Sequence, residues 1–315
     1  MSSRVLITGS IAYDVLLGYE GSFADAIDPK ALQHLSLSFF SPRYTRHHGG
    51  TAANIAWNLQ LLGGNPLPVG TVGSDGGSYK ALLAERGIDV TYIEEQKEHV
   101  TATAIIGTDQ KECQITFFHP GADAHGTWPD LQDERDDLAY GIVSPRDTRQ
   151  MMAGMQWCAQ QKVPVFFDPG QQIIAFSADE LRRLTKMSAG VIVNDYEWSL
   201  LRDALKADEK TILSLTPVVI ITHGDKGVTL LSKDGTVNIS SCRPDCVVDP
   251  TGAGDAFRGG FLSGLSRGWD MQTSLKLGAA MGSKVIEQEG TLMDMLDRDE
   301  LWARAERAYG HELPK

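Results

Sequence analysis

The stretch Asp249-Pro250-Thr251-Gly252-Ala253-Gly254-Asp255-Ala256-Phe257 combines two carboxylates, two closely spaced glycines and the start of an apolar periodicity. Gly252 and Gly254 open backbone conformations closed to other residues and let a bulky anion approach the main chain. Phe257, Phe261 and Leu265 then recur every four positions, the stripe of a helix buried on one face. The N–H groups of residues 252–255 would begin that helix with the positive end of its dipole behind them, which makes an anion site. Asp255 puts a carboxylate where negative charge is to be bound. An acidic residue in a first helical turn is common. The chemical alternative is a general base that takes a proton from a substrate hydroxyl while the turn stabilises a transferred phosphoryl group. Position alone leaves both readings open.

The elements that must hold such a site are visible on either side of it. Arg4-Val5-Leu6-Ile7-Thr8-Gly9-Ser10 is a short apolar run ending in glycine, as expected of a central parallel strand covered on both faces. Ser10 and Asp14 follow its C-terminal end, the edge where ligands bind in open α/β sheets. Leu35-Ser36-Leu37-Ser38-Phe39 alternates with period two, like a half-exposed strand, and residues 103–107 and 113–118 flank a turn-rich segment as a hairpin would. Between them, His47-His48-Gly49-Gly50-Thr51-Ala52-Ala53-Asn54 predicts a helix entered through paired glycines, with Thr51 as N-cap and Asn54 over the first turn. From residue 138, strands at 140–144, 163–168, 190–194 and 218–222 alternate with helices at 146–161, 178–186, 195–206, 252–267 and 271–289. That alternation predicts a parallel sheet, with Asp168, Asn194 and Thr222 gathered at one edge. Asn194-Asp195-Tyr196-Glu197 also has the spacing of a helix capping box, and residues 222–227 fit a plain strand–turn–strand.

DPTGAGDAFRGGF, residues 249–261, resembles the C-terminal signature of the ribokinase-like (PfkB) family of sugar and nucleoside kinases. Gly49-Gly50-Thr51-Ala52-Ala53-Asn54 resembles its N-terminal signature, about 200 residues upstream and in the family's order; residues 69–75 and 87–90 are similar to further family segments. The resemblance implies an α/β fold, a ribokinase-like three-layer sandwich with a mainly parallel central sheet. Residues 1–315 would form one kinase domain, with a small discontinuous β-sheet lid drawn from approximately 15–50 and 95–120. It implies transfer from ATP to a ribosyl hydroxyl, with Asp255 as the base and the amides of Gly252, Ala253 and Gly254 as the anion hole. Asp14, Gly49, Gly50 and Asn54 would bind the sugar. Asn194 would lie near the nucleotide phosphates and Glu197 would organise Mg2+ through water. Thr222, Gly224 and Gly227 would sit at the ATP phosphates and ribose, with Ala279 and Ser283 on the helix beside adenine, although small-residue helix packing explains that helix equally. Asp249 matches the family's position for a monovalent cation such as K+.

Three features resemble the nucleoside branch, adenosine kinases in particular. They are Gln171-Gln172 after Asp168-Pro169-Gly170, the lid segment 114–122 carrying Phe117 and Phe118, and Ser10 just ahead of Asp14. Adenosine, phosphorylated at the 5′-hydroxyl, is the acceptor they imply. Phe117 is the ring expected to stack on the base, with Phe118 as the alternative, and Gln171 and Gln172 could pair with its edge. A ribose or fructose kinase and a broad purine nucleoside kinase are the alternatives.

Composition bounds the rest. A net charge of −12 argues against nucleic acid as partner. The cysteines, at 113, 158, 242 and 246, are too few and scattered for a disulfide framework. No run approaches the ~18 apolar residues of a membrane helix, and the N-terminus lacks the pattern of a signal peptide. A cytosolic enzyme with small-molecule partners, monomeric or homodimeric, is expected. There is no P-loop and no dinucleotide fingerprint, which counts against an oxidoreductase. A binding protein that kept the cleft but lost catalysis is disfavoured by the intact Asp255, Asn194 and Glu197.

Overall fold

Alternation along the first strand sets the layering. In β1 (Arg4–Thr8), Val5 and Ile7 pack into one core and Leu6 into another. In the computed structural model, which describes residues 3–27 and 36–314, this strand is the third from one edge of a nine-stranded sheet. From one edge the sheet runs through β5 (Ile93–Gln96), β4 (Asn65–Gly73), β1, β8 (Leu138–Val143), β9 (Val165–Phe167), β10 (Gly190–Asn194) and β11 (Val218–Thr222), all parallel. It ends in β12 (Val228–Ser232) and β13 (Gly235–Ile239), which add antiparallel.

Helices cover both faces, as a parallel sheet requires. On the Val5/Ile7 side lie α2 (Thr51–Leu61), α3 (Gly77–Glu85) and α8 (Ala253–Ser266), with α9 (Met271–Val285) and α10 (Arg298–Tyr309) packed behind α8. On the Leu6 side lie α4 (Thr148–Gln161), α5 (Ala178–Met187), α6 (Asp195–Leu205) and α7 (Glu209–Leu215). The result is a three-layer α/β sandwich.

A second, four-stranded sheet stands apart from it, in the order β3-β2-β6-β7. Its strands are β2 (Ala12–Gly18), β3 (Arg43–Gly49), β6 (Ala102–Thr108) and β7 (Gln114–His119). A short helix, α1 (Phe23–Ala26), follows β2. β6 and β7 are the expected hairpin. The strand expected over 35–39 is absent: residues 36–40 carry no regular element, and Leu35 lies outside the described residues. The strand of this stretch is β3, a largely exposed and polar segment whose pairing with β2 supplies what periodicity does not. Asp14, beyond the C-terminal end of β1 as expected, lies within β2.

Local chemistry moves three helix ends from their expected positions. α2 is capped by Gly50, at φ 93°, and not by Thr51. A Cβ at residue 50 would lie 2.6 Å from both the Ala12 amide nitrogen and the Ser10 carbonyl oxygen, so only glycine fits that crossing. The Thr51 hydroxyl instead donates to the Pro145 carbonyl and accepts from the Ser10 amide. α4 begins after Asp147, its N-cap, because Arg146 is drawn into the core to donate to Asp123, Thr8 and Thr71. α9 stops at Val285 because the Ile286 carbonyl accepts the amides of Val248 and Asp249, ahead of the glycine turn.

Candidate active site

Parallel strands put their C-terminal ends on one edge. There Ser144 follows β8, Asp168 follows β9, and Asn194 and Thr222 close β10 and β11 as registered neighbours. α8 starts on the same edge. Gly252 adopts φ 81° as its N-cap, and a Cβ there would lie 2.9 Å from the Thr291 methyl. The amides of Gly252, Gly254 and Asp255 have no hydrogen-bond partner among the described residues, while that of Ala253 makes only a long contact of 3.4 Å to the Pro250 carbonyl. Free donors at a helix start are a geometry that can take an anion.

Asp255 is aligned from outside its own helix. Asn54 Nδ2 donates to Asp255 Oδ2 at 2.8 Å, and Thr291 Oγ1 donates to Asn54 Oδ1 at 2.8 Å. Asn54 is 4% exposed, so α2 presents this amide from the core rather than from a mobile surface. Burial pushes the Asp255 carboxyl up to about 6, against the opposing pull of Arg258 and the Asn54 hydrogen bond; Asp168 and Asp14 push the same way as burial. Desolvation also raises Asp14, helped by Asp249 and opposed by His47. Gly49 is required beside it, because a Cβ there would lie 2.3 Å from Asp14 Oδ2.

Arg258 was missed in the sequence. Its guanidinium grips buried Asp168 with two bonds, Nε to Oδ2 at 2.6 Å and Nη2 to Oδ1 at 2.5 Å, and Nη1 donates to the Gly254 carbonyl at 2.9 Å. Ser144 completes the group by donating to Asp168 Oδ2 at 2.8 Å. Thr291 was missed as well: besides Asn54 it reaches the His48 carbonyl, and the neighbouring Gly290 amide donates to Asp249 Oδ2 at 3.0 Å. A loop distant in sequence thereby closes over α2 and the start of α8. For Asp249, burial would raise the carboxyl, but the Thr251 and Gly290 amides outweigh it and hold it below its ordinary value.

The residues expected at the nucleotide are spread along the adjoining edge. Asn194 and Glu197 form a reciprocal capping box: Asn194 Oδ1 accepts the Glu197 amide at 2.8 Å and Glu197 Oε2 accepts the Asn194 amide at 2.9 Å. Glu197 is 8% exposed and raised by burial and then by Asp168, with Oε1 free of hydrogen-bond partners among the described residues. Both readings of this motif are therefore compatible with one geometry. Gly227, at φ 100°, is demanded by the β12–β13 hairpin, since a Cβ would lie 2.1 Å from the Ile239 carbonyl oxygen. Gly224 stands exposed at φ 60°. In α9, Gly278 and Gly282 let the helix pack against the Phe257 and Ala253 carbonyls of α8. Ala279 is half-buried, and Ser283 is buried with its hydroxyl on the Ala280 carbonyl.

On the acceptor side, Ser10 is tied to the loop after β8 by a hydrogen bond from its N–H to the Pro145 carbonyl. Gln171 is exposed and Gln172 half-buried on the 3-10 turn Gly170–Ala175, with neither side chain hydrogen-bonded among the described residues. Register separates the two aromatics of β7. Phe118 pairs with Ala104, which pairs with Asp14 and, across β2, His47. Registered residues share a face of a sheet, so Phe118 lies on the Asp14 face. Phe117, the ring expected at the base, pairs with Ile105 and so lies on the opposite face, because adjacent strand residues point to opposite sides. No cluster of three or more His, Cys, Asp or Glu side chains suited to a metal occurs among the described residues. With no such cluster among the described residues, the site fits Mg2+ carried largely by substrate phosphates.

A family model described as pfkB family carbohydrate kinase matches residues 21–298. A nucleoside kinase of Methanothermobacter thermautotrophicus is 30% identical over 274 residues, covering 85% of this chain and 87% of the relative. The structure of a Burkholderia thailandensis nucleoside kinase in complex with inosine superposes with a TM-score of 0.86 at 36% identity, over 99% of this chain and 100% of that one. The same enzyme in its ADP–inosine complex gives 0.83 at 37% identity, over 98% and 97%.

Proposed function

Because this chain belongs to the pfkB family of carbohydrate kinases, we propose that it transfers the terminal phosphoryl group of ATP to the 5′-hydroxyl of a purine nucleoside, adenosine among them. The observation that carries the reading is the meeting of Asp255, Asn54 and the unpartnered amides of the 252–255 turn at one sheet edge. In this mechanism Asp14, backed by Gly49 and Gly50, holds the ribosyl 2′- and 3′-hydroxyls, since a carboxylate accepts two hydrogen bonds at once. Asn54 aligns Asp255 and keeps one N–H for a sugar oxygen. Asp255 takes the 5′-hydroxyl proton on a carboxylate oxygen while the amides of Gly252, Ala253 and Gly254 face the charge on the transferred group. The base need not be strong, because the phosphoryl-transfer transition state is loose and the hydroxyl gives up its proton late. A carboxyl at about 6 is ionised at neutral pH, as the role needs.

Asn194, Thr222, Gly224, Gly227, Ala279 and Ser283 are the residues we assign to the ATP side. Mg2+, held through water by the free Glu197 oxygen, would neutralise phosphate charge when bound. Asp249 is the proposed carboxylate of a K+ site. The small sheet serves as a lid over the acceptor, with Phe118 as the stacking ring.

The inosine complex of the Burkholderia enzyme favours a second reading, a kinase broad among purine nucleosides. A primary amide offers both a donor and an acceptor, so Gln171 and Gln172 suit an adenine or a hypoxanthine edge equally. The test is kcat/KM for adenosine, inosine, guanosine, cytidine and free ribose, in the wild type and in Gln172→Ala. Purine nucleosides are expected to lead, with Gln172→Ala narrowing their margin. Ribose at or above the purine nucleosides overturns the assignment.

A further inference from the structure

We propose that Asp168 and Arg258 are positioning residues of the transfer site: Asp168 orients the Arg258 guanidinium, and Arg258 holds the Gly254 carbonyl and sets the charge state of Asp255. The proposal rests on Asp255 being the base, and it concerns residues whose role neither the family match nor the signatures assign.

The geometry begins with helical spacing. Residues three and four apart on a helix share a face, so Arg258 in the second turn of α8 lies alongside both Asp255 and Gly254. Its side chain could extend toward solvent, but Asp168 draws it inward. The two parallel bonds to Asp168 fix the plane of the guanidinium, a constraint that a lysine ammonium could not reproduce. The third bond, from Nη1, falls on the Gly254 carbonyl at 2.9 Å, within the turn whose amides face the phosphoryl group. Arg258 is 7% exposed and Asp168 1% exposed, so solvent screens the group little. Ser144 and Asp168 end adjacent strands of the sheet. The path Ser144–Asp168–Arg258–Gly254 thus ties the sheet edge to the start of α8.

The charge effect follows from what surrounds Asp255. Asp168 after β9 and Asp14 of β2 oppose its ionisation, Asn54 of α2 favours it through a hydrogen bond, and the buried Tyr79 of α3 is a phenol that feels its charge. Glu197 of α6 and His47 of β3 act at one remove, through Arg258 and Asp14 respectively. Arg258 is the only cation in this set that directly opposes the burial of Asp255. Without it, the carboxyl would hold its proton into the neutral range and could not accept another.

The experiment titrates the Asp255 carboxyl carbon by 13C NMR in the unliganded protein, with steady-state kcat and KM measured beside it. Arg258→Met should raise the Asp255 midpoint, about 6 in the wild type, by at least one pH unit and so lower kcat at pH 7 by about twofold or more. That deficit should shrink toward pH 9, with the KM for nucleoside little changed. Asp168→Asn should move the midpoint the other way, because a nearby negative charge is lost while the guanidinium stays. Arg258→Lys should keep the midpoint close to wild type yet lose kcat, because the charge remains and the fork does not. Should Arg258→Met fold poorly with Asp168 left unpaired, the double variant Asp168→Asn/Arg258→Met removes both charges, and its midpoint should still lie above wild type. Midpoints that stay at the wild-type value in the Arg258→Met and double variants, or that move in the same direction in Arg258→Met and Asp168→Asn, overturn the proposal in favour of a packing role. Retained activity in Asp255→Asn would instead sink the base assignment, and the titration would still report on Arg258.

Discussion

Replacing Asp255 with Asn should make the protein slower and more stable at once. The loss of rate is that of a general base, at least ~10²-fold in kcat. The gain in stability follows from its raised carboxyl. Burial lifts Asp255 from its ordinary value of 3.8 to about 6, so the folded protein resists the ionised form. At 1.36 kcal/mol for each pH unit, that difference costs the wild type about 3 kcal/mol of stability above both values. The sign is fixed by which state binds the proton. Between about pH 4 and 6 the native state holds it and the unfolded chain does not, so wild-type stability falls as pH rises through that window. Asn is neutral throughout, and its Oδ1 can still accept the Asn54 hydrogen bond. Thermal denaturation at about pH 7.5 should therefore show Asp255→Asn melting roughly 4 °C higher, from an unfolding entropy of about 2.1 cal/mol/K per residue. The gap should close as pH is lowered through 6. Nucleotide binding, followed by calorimetry, should be retained. A kcat within tenfold of wild type refutes the base, and a melting temperature equal to or below wild type at neutral pH refutes the desolvation argument.

Three further outcomes follow from the same geometry. In Gly49→Ala the new methyl, 2.3 Å from Asp14 Oδ2, must displace that carboxylate; nucleoside KM should rise at least roughly tenfold, the worth of one hydrogen bond to a charged group at about 1.5 kcal/mol. An unchanged nucleoside KM would remove Asp14 from the sugar site. Phe118→Ala should cost roughly 5- to 100-fold in kcat/KM for purine nucleosides, from stacking of about 1–3 kcal/mol, while Phe117→Ala leaves it near wild type; the reverse pattern contradicts the sheet register. Chelation of divalent metal should abolish turnover and Mg2+ restore it, and rates should rise when K+ replaces Na+; equal rates in both salts would strike Asp249 from the cation site.

The alternating run after residue 138 and the Asp249–Phe257 turn were legible because each is local: a strand, a loop and a helix stripe within a few turns of chain. The small sheet was only partly so. β6 and β7 announce themselves as a hairpin, whereas β3 reads Arg43-Tyr44-Thr45-Arg46-His47-His48-Gly49, exposed along much of its length, and has no apolar alternation to detect. Its identity as a strand comes from β2, which lies across the α1 segment in sequence. Phe117 and Phe118 could not be told apart without register, since adjacent residues on a strand differ only in the face they take. Arg258 and Asp168 are 90 residues apart and Thr291 and Asn54 are 237 apart. Such pairs exist only once the sheet has brought strand ends together. Thr51 looked like an N-cap, but the tight crossing at Gly50 took the capping position and left the hydroxyl for Pro145. In the Asn194–Glu197 motif the capping reading is fully realised in the hydrogen bonds, and the spare Glu197 oxygen is what leaves room for a second role.

The central claim is that this chain moves a phosphoryl group from ATP to the 5′-oxygen of a nucleoside. The most direct measurement is phosphorus NMR of the products formed from ATP, Mg2+ and either adenosine or inosine. The account predicts a nucleoside 5′-monophosphate and ADP, appearing at equal rates and only with both substrates present. A phosphate ester at the 2′- or 3′-oxygen, or ADP accumulating with inorganic phosphate and no nucleotide product, would contradict it.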